Sequence, residues 1–154
     1  MGWFVLSEQQ YRYIVRIAGM DIPGDLKVAH GLALIKGVGY NFALALCRLI
    51  GIDPNKRIGF LTDSEIERIE SALSNPLSIG IPAWMLNRRK DYETGRDMHL
   101  IGADLIYYVK RDIEREKRIK SWRGIRHALG LKVRGQRTAT TGRTGITVGV
   151  KRRR

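Results

Sequence analysis

The sequence predicts a mainly α-helical body that continues into an extended basic tail. Apolar residues repeat at helical spacing through most of residues 27–119, capping residues and glycines mark the helix ends, and the last acidic residue of the chain is Glu116. We therefore expect a helical globular body with a long projecting helix over residues 1–118, and an extended basic tail over residues 119–154.

Length and composition suit one domain plus a tail. The chain has 154 residues, of which 44% are hydrophobic, so the body can bury a core of its own. The single cysteine, Cys47, excludes an intrachain disulfide and a cysteine-based zinc site, and we expect it to be a packed apolar residue. Because no apolar run approaches the ~18 to 20 residues that span a bilayer, and no signal peptide is recognisable, we expect a soluble intracellular protein.

A short strand is predicted near the N-terminus. Residues 11–17 alternate between two faces, one of which carries Tyr11, Tyr13, Val15 and Ile17. Pro23 and Gly24 follow, and they are expected to break the extended chain.

Two apolar helices separated by a tight turn come next. The first is expected to bury Val28, Leu32 and Ile35 and to stop at Gly37–Gly39. The apolar face of the second should contain Phe42, Leu46, Leu49 and Ile50. With only a few residues between them, the two helices must form a hairpin.

The remaining helices have clearer start signals. Thr62 and Glu65 fit a capping box at the start of a third helix, which Asn75-Pro76 ends. An irregular stretch follows, in which Trp84, Met85 and Leu86 are expected to anchor the chain to the body. The longest helix is predicted over about residues 97–119, and Ser121 is a plausible cap for a short helix after it.

The turn between the first two helices is the first candidate binding site. Its residues are Lys36, Gly37, Val38 and Gly39. A Gly-apolar-Gly turn between helices is typical of helix-hairpin-helix modules, in which amides at the start of the second helix bind a nucleic-acid phosphate. A tight turn between packed helices needs the same glycines, so the residues alone leave both interpretations open. A side chain at Gly39 would strain the turn if that residue has a positive φ.

The tail is the second candidate site. Residues 117–154 contain thirteen Lys and Arg and no acid, so they account for the entire net charge of +13. A neutral body with a wholly cationic end is typical of nucleic-acid binding, because Arg and Lys pair with phosphates and Arg also stacks on bases. The predicted RNA-binding residues of this segment are Arg123, Arg126, His127, Lys132, Arg134, Gly135, Gln136, Arg137, Thr138, Thr140, Thr141, Arg143, Lys151, Arg152, Arg153 and Arg154. In the short helix we expect Trp122, Ile125 and Leu129 to anchor the face opposite Arg123, Arg126 and His127.

Catalytic and metal sites are not predicted. The three histidines lack metal-ligand spacing, and no nucleophile motif occurs, so we expect neither an enzyme nor a cofactor. One alternative is a helix-two-turn-helix DNA-binding or repair protein, although an N-terminal proline nucleophile and a zinc finger are both missing. A second alternative is a membrane-surface protein, but the basic tail has no apolar anchor beside it.

Four motifs resemble the thirteenth small-subunit ribosomal protein family. In order along the chain they are Arg-Ile-Ala-Gly at 16–19, Ile-Lys-Gly-Val-Gly at 35–39, Gly-Ile-Asp at 51–53 and Val-Arg-Gly-Gln-Arg-Thr at 133–138. The segment "IPAWMLNRRKDYETG" at 81–95 resembles the archaeal and eukaryotic cytosolic branch of that family.

The resemblance implies a structural protein of the small ribosomal subunit with a helix-two-turn-helix body. It further implies binding to the ribosomal RNA of the subunit head, contact with the nineteenth small-subunit protein, and bridges to the large subunit near the central protuberance. The tail would extend toward the peptidyl-site tRNA. The protein would then be cytoplasmic, within the ribosome, and without a membrane partner.

Overall fold

A computed structural model describes residues 11–141 together with Gly145 and Gly149. Within this part of the chain, helices predominate, with five α-helices and one two-stranded sheet, which confirms the predicted mainly α class. The elements are β1 Ile14–Ile17, β2 Met20–Pro23, α1 Val28–Leu32, α2 Tyr40–Ile50, α3 Asp63–Ser74, α4 Gly102–Arg118 and α5 Trp122–Ala128.

The N-terminal sheet is an antiparallel hairpin that the sequence predicted only in part. Its turn residues, Ala18 and Gly19, both have positive φ, at 49° and 76°, as the two-residue turns that match strand twist require. β1 buries Val15 and Ile17, which the sequence places on one face, whereas Tyr13, just before the strand, is 81% exposed. The sequence does not predict the second strand, because Pro23 indicates a break in extended chain. Proline is nevertheless tolerated at the end of an edge strand, where Pro23 lies.

Helices α1, α2 and α3 pack together with the hairpin around one core. Leu32, Leu46 and Ile69, one from each helix, are fully buried within it. Helix α1 is shorter than predicted, and Ile35 is buried in the turn that follows it. Cys47 is a packed core residue, as predicted, and burial raises the pKa of its thiol to about 11.

One core assignment on α2 was wrong. Leu49 is half exposed, although it was placed on the same face as Phe42 and Leu46. At about 100° per residue, the buried arc runs from Phe42 through Ala43 to Cys47, and Leu49 lies outside it.

The predicted capping box at the start of α3 is confirmed. The Thr62 hydroxyl accepts the Glu65 N–H at 3.3 Å, and the Glu65 carboxylate accepts the Thr62 N–H at 2.8 Å. The Lys56 ammonium also contacts this carboxylate at 2.7 Å, which fixes the chain that enters the helix.

The irregular stretch after α3 is anchored by fewer residues than predicted. Leu86 is buried and Met85 packs against the core, but Trp84 is 70% exposed, so its predicted anchoring role was wrong. A bridge between Arg88 and Met98 closes this stretch into a loop.

The contacts of the chain separate into two compact units, one ending at Ile106 and the other beginning at Tyr107, inside α4. Helix α4 begins at Gly102, later than predicted, and none of its residues is buried. Helix α5 follows the predicted Ser121 cap. Among the described residues, no helix combines the length and apolar composition needed to cross a bilayer.

Candidate nucleic-acid interface

The turn between α1 and α2 presents a short exposed edge on a buried base. Lys36 and Gly39 are exposed, whereas the Val38 side chain is buried in the core. The Val38 N–H donates to the Ile35 carbonyl at 3.0 Å. Val38 therefore anchors the turn to the core.

The two glycines of the turn have different conformations. Gly37 has φ +97°, in the region that favours glycine, while Gly39 has φ −90° and extended geometry as the N-cap of α2. The expectation of a possible positive φ at Gly39 is thus corrected, since the strained position is Gly37. A Cβ on Gly39 would have no atom within 4 Å, which leaves open space in front of the helix start.

That open space faces an anion-binding feature. The first amides of α2 have no partner within their own helix, Gly39 has no side chain to cap them, and the first turn contains no acid. The partial positive charge of a helix N-terminus favours phosphate at such a position. The exposed Lys36 adds a full positive charge beside it.

Tyr40 is a candidate contact that the sequence patterns did not single out. It is the first residue of α2, it is nearly half exposed, and its ring lies 4.9 Å from the ring of His30. An aromatic residue immediately after the Gly-Val-Gly turn was the available signal. Exposed aromatic rings can stack on unpaired RNA bases.

The second unit contains the other predicted site residues, beginning with α5. The Ser121 hydroxyl accepts the Gly124 N–H at 3.0 Å, and Gly124 is buried so tightly that a Cβ would overlap the Glu116 carbonyl oxygen. This packing fixes α5 against the end of α4. Arg123 is exposed, and Arg126 and His127 are partly exposed.

The apolar residues of α5 do not anchor it as predicted. Trp122 and Leu129 are 71% and 66% exposed, and Ile125 is also exposed. The Arg126 guanidinium lies 5.9 Å from the centre of the Trp122 ring, within cation–π range, and its Nε donates to the Lys132 carbonyl at 2.9 Å. α5 therefore presents an exposed aromatic ring with a cationic group above it.

Beyond α5, the described part of the tail has turns but no helix or strand. The Arg134 N–H donates to the Gln136 side chain at 2.9 Å, and the Thr141 hydroxyl donates to the Arg137 carbonyl. Gly135 has φ +74°. The predicted contacts that lie exposed here are Lys132, Arg134, Gly135, Gln136, Arg137, Thr138, Thr140 and Thr141. Predicted residues Arg143, Lys151, Arg152, Arg153 and Arg154 lie outside the described residues.

Metal chemistry finds no support in the described part of the chain. His, Cys, Asp and Glu side chains form no group of three or more there that could hold a metal ion. The turn at 36–39 and the segment from α5 onward instead share exposed basic side chains and exposed aromatic rings.

Comparison with known proteins agrees with the sequence motifs. The profile described as "Ribosomal protein S13/S18" matches residues 16–144. The chain is 82% identical to the small ribosomal subunit protein uS13 of Hyperthermus butylicus over 148 residues, covering 96% of this chain and 98% of that protein. It is 72% identical to the uS13 of Staphylothermus marinus and 60% identical to that of Aeropyrum pernix, covering 96% of this chain in both cases and 98% and 99% of those proteins.

Proposed function

The chain belongs to the ribosomal protein S13/S18 family, and on that premise we propose that it binds the ribosomal RNA of the small-subunit head through two regions. It is a structural protein of the small ribosomal subunit and not an enzyme. The first RNA-binding region is the turn at Lys36–Gly39, and the second comprises α5 and the tail that follows it.

The observation that carries the proposal for the turn is the environment of Gly39. This residue opens α2 with no protein atom near the position of its missing Cβ. Neither its φ of −90° nor any neighbouring protein atom requires glycine at this position, so the compact turn by itself does not account for it. A phosphate bound to the free amides of α2 would use the space in front of Gly39.

The tail is assigned to RNA because of its charge and exposure. From residue 117 onward all charged residues are basic, and those described after α5 are exposed. Like charges held together without acids repel one another, and a polyanion relieves that repulsion. We assign the part up to Thr138 to folded ribosomal RNA, and the terminal cluster 151–154 to the peptidyl-site tRNA.

Two protein contacts complete the proposed placement. One is the nineteenth small-subunit protein, and the other is the set of large-subunit bridge elements near the central protuberance. Both follow from the family resemblance of the motifs at 16–19, 35–39, 51–53 and 133–138. Crosslinking within assembled ribosomes, followed by mass spectrometry, tests each contact.

The turn is tested with Lys36→Ala and Gly39→Ala in binding to a head-domain RNA fragment. Lys36→Ala should weaken binding and lower the salt slope by about 1, the effect of one lost phosphate contact. Gly39→Ala should weaken binding because its methyl group occupies the space in front of the helix. Arg48→Ala, at the other end of α2, is the matched charge control. If Lys36→Ala and Gly39→Ala bind as tightly as Arg48→Ala, the turn is only a structural connection.

The tail is tested with two truncations in small-subunit assembly. The RNA affinity of the full chain should fall by roughly three to five orders of magnitude between ~50 and ~200 mM salt. Deleting residues 131–154 should make that fall less steep and should reduce incorporation into the subunit. Deleting residues 150–154 should leave incorporation intact and modestly raise the dissociation rate of peptidyl-site tRNA. Quantitative mass spectrometry of subunits and tRNA release kinetics give the two readouts. Unchanged tRNA release at low salt contradicts the assignment of the terminal cluster.

A further inference from the structure

The segment that precedes α4 is tied together by one side chain. The Asn87 amide donates from Nδ2 to the Leu100 carbonyl at 2.6 Å, and its Oδ1 accepts the Leu100 N–H at 2.9 Å. Both polar groups of the Leu100 backbone are therefore held by Asn87. A side-chain amide that satisfies a donor and an acceptor of one residue fixes the position of that backbone.

The backbone held by Asn87 lies directly against the candidate RNA-binding turn. A Cβ on Gly37 would overlap the Leu100 carbonyl oxygen and would come within 3.2 Å of the Ile101 Cα. Two residues further on, the Gly102 N–H donates to the Lys36 carbonyl at 2.8 Å. The rear of the turn, at Lys36 and Gly37, is thus in contact with residues 100–102.

His99 connects the same segment to the first turn of α2. Its ring stacks on Phe42 with centroids 4.0 Å apart and planes 7° from parallel. Its Nδ1 accepts the backbone N–H of Asn87 at 3.3 Å. Its Nε2 is buried without a hydrogen bond of normal geometry. Burial lowers the pKa of His99, and the nearby Gly37 backbone opposes that shift.

We infer that the Asn87 side chain is a positioning group for RNA binding, acting through Leu100 on the turn at Lys36–Gly39. This inference rests on the proposed function of the turn. The free amides of α2 bind a phosphate well only if they are aimed before the phosphate arrives, because ordering them on binding costs affinity. By fixing Leu100 against Gly37, Asn87 holds the turn in place on the side away from the space in front of Gly39.

The alternative role for Asn87 is stability alone, and a matched variant separates the two. Asn87→Ala removes both bonds to Leu100 and should weaken binding of the head-domain RNA fragment about five- to tenfold, the effect of roughly one lost hydrogen bond. Leu73→Ala, in the buried face of α3, destabilises the body and leaves the bonds of Asn87 to Leu100 in place. Binding is measured at a temperature where both variants are more than about 95% folded by circular dichroism. Equal RNA affinity of the two variants overturns the inference.

A double-mutant cycle with Lys36→Ala provides the decisive readout. If Asn87 acts through the turn, the double variant loses less affinity than the product of the two single effects, whereas independent effects multiply. Multiplicative losses therefore contradict the positioning role. If Lys36→Ala and Gly39→Ala have no effect on RNA binding, the proposed function of the turn fails, and this outcome is distinct from failure at Asn87 alone.

Hydrogen exchange tests the same inference without RNA, and it also covers a variant that folds poorly. The Gly102 amide, bonded to Lys36, should exchange faster in Asn87→Ala than in Leu73→Ala. Asn87→Ser keeps a neutral hydroxyl that cannot hold both polar groups of Leu100 and adds no charge near the turn, so it replaces Asn87→Ala in both experiments if the latter does not fold. Unchanged exchange at Gly102 together with unchanged affinity rules out the positioning role.

Discussion

Adding one methyl group at each of two glycines in the turn should change stability by very different amounts. Gly37 and Gly39 are two residues apart and look equivalent in the sequence. We expect Gly37→Ala to destabilise the body strongly and Gly39→Ala to leave its stability nearly unchanged. The difference follows from the backbone conformation and the neighbours of each glycine.

The magnitude at Gly37 has two contributions. Its φ of +97° is unfavourable for a residue with a Cβ, which costs about 1–2 kcal/mol. The new methyl group would also overlap the Leu100 carbonyl oxygen, which is backbone and cannot rotate away, and overpacking of this kind costs about 1–3 kcal/mol. The free energy of unfolding should therefore fall by about 2–5 kcal/mol.

The magnitude at Gly39 is close to zero. Its φ of −90° suits alanine, and the methyl group would have no atom within 4 Å. Alanine is a poorer N-cap than glycine, but it also reduces the freedom of the unfolded chain by about 0.4–1 kcal/mol. These effects oppose each other, so the free energy of unfolding should change by less than about 1 kcal/mol.

Thermal unfolding of the isolated protein distinguishes the two expectations. At about 2–4 °C per kcal/mol for a chain of this length, Gly37→Ala should lower Tm by roughly 4–20 °C, and Gly39→Ala by no more than about 4 °C. Equal shifts, or a larger shift for Gly39→Ala, would refute the assignment of strain to Gly37. RNA affinity then completes the comparison, because Gly39→Ala should lose binding at nearly unchanged stability.

Four further predictions concern sites outside the turn. Thr62→Ala removes the capping box of α3 and should lower the free energy of unfolding by about 1 kcal/mol in denaturant titrations. Gly124→Ala places a methyl group on the Glu116 carbonyl and should accelerate hydrogen exchange throughout α5. The hydrogen bond from Arg88 outweighs burial and lowers the pKa of Asp91 to about 2. The stability that the Asp91 carboxylate contributes is therefore complete above its ordinary pKa of 3.8 and is lost as pH falls toward 2. In Asp91→Asn, the free energy of unfolding should fall less steeply between these two pH values. Trp122→Ala should weaken RNA binding by about 1–3 kcal/mol, whereas Trp84→Ala, an equally exposed tryptophan, should not.

Local chemistry made some elements predictable from the sequence. The start of α3 depends on Thr62 and Glu65, three residues apart, and both bonds of that capping box form as predicted. Ser121 likewise marks the start of α5. In each case the side chains that fix the helix end are adjacent to it in the sequence, so no knowledge of tertiary contacts is needed.

Features that depend on distant contacts could not be predicted. The hairpin turn uses Ala18 at φ 49°, where asparagine would have been the recognisable residue, and the Ala18 N–H is held by the Glu70 carboxylate at 2.8 Å. The difference between Gly37 and Gly39 depends in the same way on Leu100. Glu70 is far from Ala18 in the sequence, and Leu100 is far from Gly37. The sequence patterns therefore predict neither the hairpin turn nor the difference between the two glycines.

The wrong prediction for α5 has a different cause, and it bears on function. Helical spacing of Trp122, Ile125 and Leu129 correctly indicated an apolar face, but periodicity does not say what covers that face. In a protein that folds alone, the cover is its own core. In a protein that belongs to a ribosomal family, the cover can be RNA, whose unpaired bases stack on aromatic rings beside cationic groups. The Trp122 ring with the Arg126 guanidinium 5.9 Å from its centre offers that combination, and both lie in the segment where the chain has no acidic residue to repel a phosphate. RNA binding by α5 requires this apolar face to be exposed. The spacing of Trp122, Ile125 and Leu129 therefore does not predict core residues, but it agrees with a face that contacts RNA.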